Sequence, residues 1–164
     1  MQTIRELEAG TIRQRRTGNE PVSSIGLHIT RLYFNAPAST LLFQGSVKGS
    51  SGTTYDVNVE FADTAVNPAD TFKTTMIIPV NPSVDVHVEQ PKDKTSGVKV
   101  SCACQDYVFT FSHINAAKDA HFGPLQNYQR KTKTHAPRNP KQNPGLCKHL
   151  DAFIEHLRRE KYLG

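Results

Sequence analysis

The chain has 164 residues, enough for one domain that buries roughly 68–70% of the surface its unfolded form exposes. Apolar residues make up only 37%, tryptophan is absent, and ten prolines and ten glycines are present, which argues against a large apolar core and predicts many loops. The net charge is +5, no apolar run approaches the roughly 20 residues of a membrane span, and the opening lacks the basic-then-apolar order of a secretory signal, so a soluble protein made in a cytoplasm is expected.

Residues 1–20 read as an N-terminal arm. A short helical turn over residues 2–8 leads into the basic stretch Thr11-Ile-Arg-Gln-Arg-Arg16 and a turn over residues 17–21. From residue 21 to about 97 the composition changes to runs of Val, Ile, Thr, Phe and Tyr broken by Gly, Pro, Asn and Ser, the signature of an antiparallel β module. Strands are predicted over residues 25–34, 40–47, 55–61, 72–78 and 84–88. Alternation is strongest in Tyr55-Asp-Val-Asn-Val-Glu-Phe61 and Val84-Asp-Val-His-Val88, each with one face for the core and one for water. Gly49-Ser-Ser-Gly52 suits a hairpin loop, and no internal repeat is evident.

Residues 98–164 form a third section. Val98-Lys-Val-Ser-Cys-Ala-Cys104 and Tyr107-Val-Phe-Thr-Phe111 read as two short strands meeting at a Cys-x-Cys turn, that is, a hairpin. A long polar loop over residues 112–144 follows. It carries Lys118, Arg130, Lys131, Lys133, Arg138 and Lys141 against the single acid Asp119, a surplus equal to the net charge of the whole chain. Such a run suits phosphate or an acidic protein surface, and equally a solvated loop. After Pro144-Gly145, the residues Leu146, Leu150, Phe153, Ile154 and Leu157 recur at spacings of three and four, which predicts a C-terminal helix with one apolar stripe. The expected class is α+β, mainly β, in one compact unit.

Three cysteines suit a disulfide framework poorly and a metal site well. Cys102 and Cys104, with Cys147 and His149, make two pairs of one-residue spacing and a Cys₃His donor set, the set a closed tetrahedral structural zinc site uses. Two residues apart in extended chain share a side, whereas on a helix they diverge by about 200°. Cys147 must therefore precede the regular helix that holds His149. The 42 intervening residues, positions 105–146, are no obstacle, because closure entropy grows only with the logarithm of length. The alternatives at this level are buried apolar thiols without a metal, and His113, His121, His135 or His156 as fourth donor. His28 and His87, within strands, are read as ordinary residues.

Cys-x-Cys followed, after a variable spacer, by Cys-x-His at a helix start resembles the SWIM-type zinc finger. More narrowly, Cys102-Ala-Cys-Gln-Asp-Tyr-Val-Phe-Thr-Phe111 with Pro137-Arg-Asn-Pro-Lys-Gln-Asn-Pro-Gly-Leu-Cys-Lys-His-Leu150 resembles the C-terminal section of small virion structural proteins of large tailed bacteriophages, over about residues 98–157. The resemblance implies one structural zinc ion on Cys102, Cys104, Cys147 and His149. It further implies a non-enzymatic role in a neck, tail, baseplate or capsid, with other virion proteins and copies of the chain as partners. SWIM fingers elsewhere imply the second reading, nucleic-acid binding, here through Arg130, Lys131, Lys133, Arg138 and Lys141 with Phe122 and Tyr128 to stack on bases. Neither a Gly-rich phosphate loop nor Gly-x-Ser-x-Gly nor His-Glu-x-x-His occurs, so catalysis and a small-molecule substrate are not expected.

Overall fold

A computed structural model describes residues 1–14, 26–66, 75–81, 84–126 and 138–164. Its centre is a five-stranded antiparallel sheet in the order β1-β7-β4-β3-β2, made of β1 (Gln2–Thr3), β2 (Leu27–Asn35), β3 (Thr40–Lys48), β4 (Thr54–Phe61) and β7 (Gly97–Cys102). A separate ribbon pairs β5 (Thr75–Asn81) with β6 (Val84–Glu89). The α+β, mainly β, class is as expected, and the described strand bounds lie within about three residues of those read from alternation. Residues 72–74 and Ile25, included in two of those expected strands, fall outside the described residues.

Alternation decides which face of the sheet is buried. Leu41, Phe43 and Val47 of β3, Val57, Val59 and Phe61 of β4, and Val98, Val100 and Cys102 of β7 all point to one side and are almost fully enclosed. The opposite face is polar, with Gln44 Nε2 donating to Asn58 Oδ1 (2.8 Å) and Asn58 Nδ2 donating to Ser101 Oγ (3.0 Å) across three neighbouring strands. Against the apolar face lies α4 (Lys148–Arg159), which buries Leu150, Phe153, Ile154 and Leu157. Each such side chain contributes about 1.5–3 kcal/mol when fully buried. The helix comes close enough to β3 that a Cβ on Gly45 would lie 2.2 Å from Cε2 of Phe153.

Two expectations change here. Residues 1–14 are no free arm: β1 joins the sheet edge, and α1 (Ile4–Gln14) buries Ile4, Leu7 and Gly10. Its start is a reciprocal cap, in which Thr3 N–H donates to Glu6 Oε2 (2.8 Å) and Glu6 N–H donates to Thr3 Oγ1 (3.3 Å). The helix thus begins later and runs further than the turn expected over residues 2–8. Arg158 of α4 fastens it, with Nη2 2.7 Å from Glu8 and Nε donating to Asp93 Oδ2 at 2.9 Å.

The second correction concerns the expected zinc-binding hairpin. Tyr107 to Phe111 do not form a strand. Residues Gln105–Thr110 are a helix, α2, and Ser112–Ala117 a further short helix, α3, so the chain turns from strand to helix at the Cys-x-Cys. Cys104 sits at the N-cap in extended conformation, and its sulfur accepts the N–H of Tyr107 at 3.3 Å. A cap at that position overrides the β preference of Tyr-Val-Phe-Thr-Phe. Helical spacing then buries Tyr107, Val108 and Phe111 together, where strand spacing would have exposed Val108. The polar loop is shortened accordingly. Residues 120–122 run parallel to β7, with Val100 N–H donating to Ala120 O and Phe122 N–H donating to Val100 O, both at 3.0 Å. Among the described residues no helix is long and apolar enough to cross a membrane.

Candidate metal centre

Each of the four predicted donors is placed by a different piece of local structure. Cys102 is the last residue of β7 and continues its inward alternation after Val98 and Val100. Ala103 points outward while its N–H donates to Asp56 O (3.1 Å), which keeps the chain extended for one more residue and turns Cys104 inward as well. The N–H of Cys104 donates to the Cys102 sulfur at 3.5 Å. Cys147 is the N-cap of α4 with extended backbone (φ −79°, ψ 166°), and His149 lies in the first turn. The requirement that this pair straddle the helix start is met.

The four side chains converge. All are buried, and one donor atom from each lies within 4.8 Å of all the others. Cys102 Sγ is 4.0 Å from His149 Nδ1. A tetrahedral site with metal–sulfur bonds of about 2.3 Å and metal–nitrogen bonds of about 2.0–2.1 Å has edges of roughly 3.6–3.8 Å, so small inward adjustments bring the set to bonding distance. No pair of sulfurs is joined as a disulfide. The cluster can hold one metal ion.

The imidazole is packed against an aromatic ring. The Tyr55 ring lies against it, with centroids 4.6 Å apart and planes 39° from one another. Its Nδ1 faces the sulfurs, whereas Nε2 faces the β3–β4 hairpin, where a Cβ on Gly49 would stand 3.0 Å away. Nε2 is buried without a hydrogen-bond partner among the described residues. With Nδ1 on a metal, the neutral ring carries its proton on Nε2.

Electrostatics favour a cation. The Cys104 thiol is pushed below the ordinary thiol range by hydrogen bonds from Cys102 and Cys147, then by His149 and the Tyr107 N–H, with burial opposing. Cys102 is raised, chiefly because its proton is donated to Cys104, and Cys147 is raised by complete burial and by its bonds to the other two sulfurs. Burial and mutual proximity oppose ionising all three thiols together, and a metal ion is the partner that would allow it. A saturated Cys₃His shell leaves no position for a substrate.

The other described histidines stay outside the cluster. His113 is exposed, His156 lies at the far end of α4, and His121 Nδ1 is 3.0 Å from the Tyr107 hydroxyl. His135 lies outside the described residues, as do Tyr128, Arg130, Lys131 and Lys133 of the basic loop. Of the remaining loop cations, Arg138 lies over the Phe109 ring and 4.0 Å from Asp106, and Lys141 is exposed. His28 is exposed on β2, and His87 lies in β6.

Two residues that matter to the site carry no sequence signal of their own. Tyr107, fully buried below the sulfurs, donates its hydroxyl to Val100 O at 2.6 Å. Asn115, also fully buried, clasps Gly145 with hydrogen bonds of 2.9 Å in both directions. Comparison with protein-family models, curated proteins and solved structures yields no match to the chain.

Proposed function

We propose that the chain is a non-enzymatic structural component of a tailed bacteriophage virion, in its neck, tail, baseplate or capsid, and that Cys102, Cys104, Cys147 and His149 hold one structural zinc ion. The observation that carries the metal reading is the closed, buried Cys₃His cluster between the sheet and α4. Zinc suits it because three thiolates and an imidazole in tetrahedral reach are a structural zinc set. Apparent binding energies of about 10–16 kcal/mol for such ions compare with about 5–15 kcal/mol for the stability of a whole domain. One ion bound there would therefore contribute, on the scale of the whole domain's stability, to keeping α4 on the sheet. The virion reading is supported by the resemblance over residues 98–157. The protein would be made in the host cytoplasm and built into the particle, with copies of itself and other virion proteins as neighbours.

Elemental analysis of purified protein tests the metal, with one zinc per chain expected, alongside native mass to read self-association. A chain free of zinc after purification in zinc-replete medium would refute the metal assignment, and a strict monomer that associates with no virion protein would refute the assembly role. The cationic surplus of residues 112–144 favours a second reading, a SWIM-type nucleic-acid-binding protein. DNA affinity that falls steeply with salt would select it.

A further inference from the structure

We infer that Thr11 of α1 and Asn115 of α3 are positioning residues for the metal centre: they hold the backbone of residues 145–146 and thereby set where the Cys147 sulfur stands. The inference rests on the reading that the four side chains hold a metal ion.

Cys147 is reached through Pro144, Gly145 and Leu146, which belong to no helix or strand, and Gly145 and Leu146 are buried. Buried peptide groups must find partners, and here no ladder supplies them. Side chains do so instead. Gly145 N–H donates to Asn115 Oδ1 at 2.9 Å, and Asn115 Nδ2 donates to Gly145 O at 2.9 Å, so one amide imitates a neighbouring strand. The next donor, Leu146 N–H, meets Thr11 Oγ1 at 2.7 Å. That hydroxyl donates its own proton to Leu7 O at 2.8 Å, which leaves a lone pair for Leu146. Three consecutive backbone groups are thus held by two side chains that approach from different helices.

Close approach makes this clasp stiff. A Cβ on Gly10 would lie 1.8 Å from Pro144 O, and one on Gly145 would lie 2.6 Å from Phe111 Cε1 and 2.9 Å from Thr11 Oγ1. At Gly10 the helix meets the strap backbone to backbone, and at Gly145 the strap lies directly against the Phe111 ring and the Thr11 hydroxyl. Asn115 is in turn tied to the Tyr107 hydroxyl at 3.4 Å, the group bonded to β7 two residues before Cys102. From Leu146 to Cys147 is one peptide unit, about 3.8 Å between Cα atoms. A metal–sulfur bond tolerates about ±0.2 Å. A strap free to shift by an ångström therefore loses the Cys147 thiolate first. The other three donors are placed by β7, by the α2 cap and by α4 with Tyr55, none of which uses the strap. The N-terminal helix is in this way coupled to metal retention 135 residues along the chain.

The test uses the full chain loaded with Co²⁺, whose thiolate charge-transfer absorption grows with the number of bound sulfurs, together with the rate of Zn²⁺ release to a chromogenic chelator. Partners that orient a metal ligand are typically worth about 10–100-fold in affinity. Thr11→Val keeps shape and removes the oxygen. Its charge-transfer band is expected to fall toward that of a two-thiolate site and its zinc release to quicken by about tenfold or more. Thr11→Ser is expected to restore both. Val86→Ala, in β6 away from the strap, is expected to lower thermal stability without changing the cobalt spectrum. Asn115→Ala should act as Thr11→Val does, and Thr11→Val decides the matter should the deeper substitution fail to fold. A Thr11→Val protein with wild-type spectrum and release rate overturns the inference. Failure of the wild-type chain to bind Co²⁺ or Zn²⁺ at all would instead overturn the metal reading beneath it.

Discussion

The contact between Gly45 and Phe153 offers a sharp test of how α4 is seated on the sheet. A Cβ added at residue 45 would lie 2.2 Å from Cε2 and 2.7 Å from Cζ of the Phe153 ring, and 2.7 Å from the His28 carbonyl oxygen across the β2–β3 pair. Ordinary carbon contacts begin near 3.5 Å, so the ring must retreat by about 1.3 Å within a core in which Phe153 is already fully buried. Overpacking of this kind costs about 1–3 kcal/mol. With backbone on the second side, the upper part of that range is expected for Gly45→Ala. At about 2–4 °C per kcal/mol for a domain of this size, its melting temperature should fall by about 4–12 °C. The assay is urea unfolding with metal content held fixed, because any ion bound to the folded state would shift the midpoint by mass action. Phe153→Leu removes the ring atoms that collide, so the double variant should be more stable than the sum of single effects predicts, by about 1–2 kcal/mol. The recovery is partial because the His28 oxygen remains. Additive single effects would show that Phe153 does not sit over Gly45, and the placement of α4, and with it His149, would fail.

Two further outcomes follow from charge. Because burial and the neighbouring sulfurs raise Cys147 well above the ordinary thiol range, metal uptake near pH 7 should release thiol protons, so affinity should rise with pH and be lost as pH falls; titration calorimetry in buffers of different ionisation heat detects the release, and uptake without proton release would contradict a protonated pocket. Arg158→Met should cost about 2–3 kcal/mol, since Asp93 loses its 2.9 Å partner while buried and keeps, among the described residues, Arg5 at 3.4 Å; a change below about 0.5 kcal/mol, typical of surface substitutions, would contradict the burial of that pair.

The sheet was legible where one face is wet and one is dry. In β4 and β6 every second residue is apolar, and expected and observed bounds differ by a single residue at most. The C-terminal helix was legible for the same reason at another period, from Leu150, Phe153, Ile154 and Leu157. The four donors stood out because three cysteines and a histidine in two tight pairs are rare by chance in a chain so poor in cysteine. Misreadings fell where a local cap outweighs side-chain preference. Tyr107 to Phe111 favour a strand by composition, yet the Cys104 sulfur at the N-cap starts a helix. The first helix did leave a trace in Thr3-x-x-Glu6, a capping pair one residue ahead of the Ile4 and Leu7 stripe. The clasp left none. A lone threonine in a basic stretch and a lone asparagine in a polar one have no period, and their partners are peptide groups, which every sequence contains.

The bond from Thr11 to Leu146 also sets an order of events during synthesis. A nascent chain exposes Thr11 early, but its partner emerges 135 residues later, after Cys102 and Cys104 have left the ribosome. At about 5–20 residues per second, the first two thiols wait roughly 2–9 seconds before the second pair arrives. Throughout that interval they are open to oxidants and to soft cations, and the complete donor set exists only when both distant halves of the chain are present together.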